Sequence, residues 1–202
     1  HLFTKDISGQ FSVFFKDIYN LISVRQDTVQ GVLVNGYVNG DYASARGFEA
    51  NLTKSFSHKF SAEFNYTFSL ATGVASNPGE ALQSVTGGRL YLPISEQALA
   101  WDQRHTMSIA STIREPGKWG LRLLWAYGSG FPFTPLFRND RKPDPVLTNS
   151  RRQPSQARLT IDGDKFYKIW GQNVQLFVDA RNVLDATNIQ SLSQNGRSPF
   201  VN

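Results

Sequence analysis

The chain has 202 residues and a formal net charge of +5, with 40% apolar and only 18% charged residues. No run of about 18 apolar residues exists, which excludes a transmembrane helix but not membrane-crossing strands, whose apolarity hides in alternation. There is no cysteine, so disulfides and thiolate metal sites are excluded, and the dispersed positive charge is no nucleic-acid signature.

Residues 1–3 read as the end of an earlier strand and Thr4 to Ser8 as a short turn. Residues 10–22 read as a strand in which Phe11, Val13 and Phe15 alternate with Ser12 and Lys16, blurred by Phe14 and Ile18. Residues 23–45 read as a long connection. It holds two Asn-Gly pairs, Asn35-Gly36 and Asn39-Gly40, of a kind that favours turns. Its Val-rich part, 29–38, is expected to extend the sheet beyond the membrane.

The clearest pattern follows, from Arg46 to Leu70. Phe48, Ala50, Leu52 and Phe56 alternate with Glu49, Asn51, Thr53 and Ser55; after a turn at Ser57-His58-Lys59, Phe60, Ala62, Phe64, Tyr66, Phe68 and Leu70 alternate with Ser61, Glu63, Asn65, Thr67 and Ser69. Successive side chains of a strand point to opposite faces, so each arm has one apolar and one polar face. The arms are longer than the usual soluble strand of about 5–6 residues and suit the roughly 9–11 tilted residues that cross a bilayer.

Residues 71–104 read as a second long connection. His105 to Ile113 is the next strand, with Met107 and Ile109 opposed to Thr106 and Ser108. A turn at Pro116-Gly117 leads to a strand with Trp119, Leu121, Leu123, Trp125 and Tyr127 on one face and Arg122 on the other. Residues 131–154 form a Pro-rich, basic connection. Leu159 and Ile161 then oppose Arg158, Asp162 and Asp164; Tyr167 and Trp170 lie near a turn at Gly171-Gln172. In the last strand Leu176 and Val178 oppose Asp179 and Arg181, and residues 183–202 are loop-like.

Two regularities set the class. Short connections follow residues 3, 56, 113 and 169, and long ones fall between them, so a meander gathers all short turns at one end. Charge is confined to one face from residue 48 to 181, save Lys54 and Lys165, each near a strand end where its stem can lie along lipid and its ammonium reach water. The expected fold is all-β: an antiparallel up-and-down transmembrane β-barrel, partial, about seven strands of a larger one. An open seven-stranded sheet leaves edges unpaired in lipid, so the rest of the barrel lies outside these strands.

The expected lumen-facing set is Glu49, Asn51, Thr53, Glu63, Asn65, Thr67, Arg122, Arg158, Asp162, Asp164, Asp179 and Arg181. The expected lipid-facing set is Phe48, Leu52, Phe56, Phe64, Phe68, Met107, Ile109, Leu121, Leu123, Leu159, Ile161, Leu176 and Val178. Trp119, Tyr127, Tyr167 and Trp170 are candidates for interfacial aromatic girdles. A soluble barrel or sandwich with the apolar face inward has the same alternation; strand length, loop asymmetry and the aromatics favour the membrane version.

Several stretches resemble the C-terminal barrel region of TonB-dependent outer-membrane receptors: FSVFFKDIYNLI (11–22), ARGFEANLTKSF (45–56), FSAEFNYTFSLATG (60–73), WDQRHTMS (101–108), YGSGFPFTP (127–135) and LFVDARNVLDATN (176–188). The GSGFPFTP and WDQRH stretches resemble in particular the large receptors with an N-terminal carboxypeptidase-regulatory-like domain. The resemblance implies the bacterial outer membrane, a 22-stranded barrel closed by an N-terminal plug, and uptake of a bulky nutrient driven by the inner-membrane TonB complex. Residues 1–202 are then expected to be the C-terminal portion of the barrel, without plug, TonB-binding segment or final aromatic-ended strand. Implied partners are the lipid bilayer with lipopolysaccharide and the TonB complex. The alternatives are a structural barrel anchoring other surface proteins, and a soluble β-barrel binding domain.

No catalytic, cofactor or metal site is expected. The histidines are His1, His58 and His105. His105 shares parity with Met107 and Ile109, and Ser111, the serine of matching parity on its strand, lies about 20 Å along it. Asp162 and Asp164 with Arg158 nearby fall short of the six to eight oxygens calcium takes. Arg138, Arg141, Lys142, Arg151 and Arg152 form a basic loop set suited to anionic lipopolysaccharide or an anionic ligand.

Overall fold

The structure, a computed structural model, describes residues 5–76, 96–135 and 147–189. Every regular element among them is a strand: β1 (Ile7–Val29), β2 (Val32–Ser57), β3 (Phe60–Gly73), β4 (Gln97–Ala98), β5 (His105–Glu115), β6 (Trp119–Gly128), β7 (Pro132–Phe133), β8 (Arg151–Arg152), β9 (Gln156–Ile169) and β10 (Gln172–Ala180). One antiparallel sheet runs β1-β2-β3-β5-β6-β9-β10, in chain order throughout, with β4 added beside β3. β7 and β8 make a separate two-stranded ribbon. The up-and-down meander expected from the alternation is what forms. The expectations for residues 1–3 lie outside the described residues.

The short turns owe their shape to residues in the left-handed region. His58 (φ 51°) and Lys59 (φ 66°) close β2–β3, and Trp170 (φ 49°) with Gly171 (φ 80°) closes β9–β10. Two consecutive positive φ values give a hairpin turn whose twist matches that of the flanking strands. These two turns and the β5–β6 turn gather at one end of the sheet. There Lys59 and Lys118 flank Glu115, 3.2 and 2.7 Å from its carboxylate oxygens.

Residues 23–45 are a correction. They are not a connection with Asn-Gly turns but the two arms of a long hairpin, paired from Val29↔Val32 down to Ile7↔Lys54. The turn falls at Gln30 (φ 51°) and Gly31 (φ 80°). Val29–Val38 does extend the pairing, as expected. Asn35 and Gly36 sit in the ladder opposite Gln26 and Arg25; a turn there would forfeit the Val-rich pairs on either side. Register shifts at Ile18/Leu21 and Leu21/Ile22 put one surplus residue on each strand, at Tyr19–Asn20 and at Gly40. β3 stops pairing with β2 at Ala43↔Gly73. Above that level β1 and β2 run on as a two-stranded ribbon, roughly 35–40 Å long at about 3.3 Å per residue.

Cross-strand register fixes which side chains share a face. Leu52, Phe64, Ile109, Trp125 and Leu159 fall on one line across five strands. Ala50, Tyr66, Met107, Tyr127 and Ala157 form the line beside it, and Phe48, Phe68 and His105 the next. Ring centroids of Phe48 and Phe68 are 5.6 Å apart, and Tyr66 Oη is 2.9 Å from His105 Nδ1. This apolar face is sheet surface rather than a buried core. The buried apolar cluster is small: Ala43, Ala71 and Leu99, with Leu21 against it, where β4 meets the loop end of β2 and β3.

Candidate functional site

The opposite face is polar and equally continuous. Gln10, Asn51, Asn65, Ser108, Ala126 and Arg158 form one line across six strands. The line is tied laterally: Asn51 donates to Asn65 Oδ1, and Asn65 Nδ2 lies 3.3 Å from Ser108 Oγ and 3.0 Å from Glu63 Oε1. Nearer the turns, Thr112, Arg122, Asp162 and Asp179 make another line. Arg181, just past β10, donates to Asp179 at 2.8 Å. Asp164 leans over Gly120, whose Cβ, if present, would lie 2.6 Å from Asp164 Oδ1.

Two hollows open on this face. One of about 760 Å³ is lined by Glu63, Arg114, Arg122, Asp162, Asp164 and Asp179 among others. The second, about 790 Å³, lies beside it against Arg158, Thr160, Arg181 and Asn188. Carboxylates and guanidinium groups alternate around them, a surface suited to a polar partner of mixed charge and not to an apolar ligand. No group of three or more potential metal ligands is found among the described residues.

The sequence-derived sets sort by register as their parity demands. Glu49, Asn51, Thr53, Glu63, Asn65, Thr67, Arg122, Arg158, Asp162, Asp164 and Asp179 share the polar face. Phe48, Leu52, Phe64, Phe68, Met107, Ile109, Leu121, Leu123, Leu159, Ile161, Leu176 and Val178 share the other. Phe56 falls in the irregularity between Lys54 and Ser57. Lys54 on the apolar face bends to the turn, its Nζ 2.7 Å from Ser57 Oγ. Lys165 Nζ lies 5.0 Å from the Tyr167 ring centre. Trp170 stands at a turn tip, 98% exposed. Phe14, Leu124 and Phe177 break the pattern on the polar face; Phe14 covers Gly47, where a side chain is missing.

The basic loop set divides. Arg138, Arg141 and Lys142 lie outside the described residues, and Arg151 is exposed. Arg152 is a correction: its guanidinium turns inward onto Asp102 and the Gly130 carbonyl, so it is not free to receive an anion. The sequence reading assigned no role to Asp102 or Asn149, both of which prove to be tie points between the long connections; the available signal was Asp102's place inside WDQRH.

An antiparallel meander with one apolar and one polar face, with the turns after β2, β5 and β9 at one end and the long connections after β3 and β6 at the other, defines a segment of an outer-membrane β-barrel. The chain belongs to the TonB-dependent receptor family, in its barrel domain: the family model described as TonB dependent receptor-like, beta-barrel, matches residues 2–183. Among solved structures the chain is similar to the outer membrane transporter YddB from Escherichia coli, with a TM-score of 0.56 and 12% identity over 92% of this chain and 27% of that one. The chain thus spans about a quarter of that structure's length. No curated protein sequence matches. The chain is accordingly part of a β-barrel of the bacterial outer membrane, in a receptor family. The soluble-barrel alternative falls with this assignment.

Proposed function

We propose that this chain forms part of the wall of a receptor that takes up a bulky nutrient across the outer membrane, energised by the TonB complex through parts of the protein beyond these strands. The polar face lines the lumen, and the apolar face meets lipid. The observation that carries the reading is the pair of hollows: both open on the polar face, and the concave side of a curved sheet becomes the inside when it closes into a barrel. Chemistry agrees. Turning the polar face to hydrocarbon would strand Glu49, Glu63, Asp162 and Arg122 without water, at roughly 2–4 kcal/mol for a mid-bilayer arginine alone.

The orientation is tested with single cysteines in the full-length receptor in outer-membrane vesicles. Thr53, Asn65 and Thr160 replaced by Cys react with a small water-soluble maleimide; Leu52, Phe64 and Leu159 replaced by Cys do not, and fluorophores placed there are quenched by brominated lipid. The reverse pattern refutes the reading. Uptake is tested by growth on sole nutrient sources with the gene deleted, and separately with TonB deleted; matching losses support transport. The anchoring alternative draws on the ribbon, where Tyr19, Ile22, Val34 and Tyr37 are exposed. It predicts a phenotype on gene deletion that TonB deletion does not reproduce.

A further inference from the structure

The two long connections on the loop side of the sheet meet at one buried carboxylate. Asp102 is 2% exposed, while the arginines around it are partly solvated. Its Oδ1 accepts the backbone N–H of Ala71 at 2.9 Å, at the end of β3. Its Oδ2 takes the Arg152 guanidinium, with Arg104 Nε at 3.5 Å. Arg152 also donates to the Asp102 carbonyl at 2.7 Å and the Gly130 carbonyl at 3.1 Å. One ion pair therefore joins four pieces of chain: the end of β3, the segment returning to β5, and the two flanks of the connection from β6 to β9.

A second tie lies beside it. Asn149 Nδ2 donates to the Ala98 carbonyl at 2.9 Å and lies 3.5 Å from Ser76 Oγ, and its N–H donates to Thr134 Oγ1 at 3.0 Å. The room is tight: a Cβ on Gly130 would lie 1.6 Å from the Gln153 carbonyl oxygen. A buried carboxylate with fixed donors is costly to leave unpaired, so the contacts form and break as a set.

We propose that Asp102 and Arg152 are positioning residues that make the bases of the two long connections one mechanical body, so that displacement of one connection displaces the other. Their value to ligand capture rests on the reading of this end as the receptor's mouth; the coupling itself does not.

The test is hydrogen exchange on the full-length receptor in detergent, with neither nutrient nor TonB present. Arg152→Ala is expected to speed exchange about tenfold at the Ala71, Leu99 and Gln153 amides together, the scale of a lost charge-assisted hydrogen bond, while amides 107–113 of β5 keep their protection. Arg152→Lys retains a charge but not the fork of donors; it gives a smaller effect at the same amides and carries the test if the alanine variant misfolds. Faster exchange at Gln153 alone, with Ala71 and Leu99 unchanged, overturns the proposal. Failure of the uptake assays leaves this exchange pattern untouched, so the two readings fail separately.

Discussion

Ile109→Arg tests the outward orientation by energy. Ile109 lies on β5 between Phe64 and Trp125, four residues from Ile113 at the turn end. At about 3.3 Å per residue and a tilt of roughly 40°, that is about 10 Å of height within an apolar band about 25 Å tall. An arginine there stands close to the midplane, where the cost on the lipid side is roughly 2–4 kcal/mol. Ala110→Arg, one residue on, is the control. Ala110 faces the polar side directly opposite Glu63 and Leu124 and lines the larger-charged hollow. An arginine there extends into that hollow toward a carboxylate, and the expected change is below about 1 kcal/mol. The assay is urea-dependent folding of the full-length receptor into phospholipid vesicles, followed by tryptophan emission. The midpoint for Ile109→Arg is expected to fall well below wild type, and that for Ala110→Arg to stay within error. Equal shifts, or a larger one for Ala110→Arg, would refute the two-faced wall.

Three further outcomes are expected. Gly47→Ala puts a Cβ 1.9 Å from the Phe68 carbonyl oxygen, so β2 and β3 must part; heat-modifiable electrophoresis should show a sharply reduced folded fraction, and a wild-type yield would mean the strand pair yields cheaply. Glu115, at the β5–β6 turn, has its carboxyl held below the ordinary glutamate range, first by Lys118 and then by Lys59. Its contribution is complete above the unfolded glutamate pKa of about 4.3 and fades as pH falls through the lower folded value; Lys118→Met should move the NMR-observed titration upward. Trp170 at its turn tip is expected to emit at shorter wavelength in vesicles than in small detergent micelles if it sits among headgroups, and Trp170→Phe should abolish that component.

The faces were legible because a strand has period two and one of its environments rejects charge. From residue 47 to 70, with Lys54 the exception, every second side chain repeats the same choice, and register across β2, β3, β5, β6 and β9 merely lines the choices up. The ribbon above was harder. Asn35-Gly36 and Asn39-Gly40 carry turn propensity, but only one pair of residues in a hairpin can turn, and pairing of Val29 with Val32 and Thr28 with Leu33 awards it to Gln30-Gly31. Asp102 was invisible for another reason. A single acid in an aperiodic stretch has no pattern, and its partner Arg152 is fifty positions away in a basic set that reads as suited to an external anion.

The paired bulges have an evolutionary corollary. The surplus residue on β1 is offset by one on β2, so partner numbers sum to 61 at Ile18↔Ala43, to 62 at Leu21↔Asp41, and to 61 again at Ile22↔Asn39. The bookkeeping of the strands below is therefore indifferent to whatever is grafted above. Such a joint lets the outer stalk lengthen, shorten or be exchanged among descendants by matched additions to its two arms, while the portion below keeps its inheritance intact.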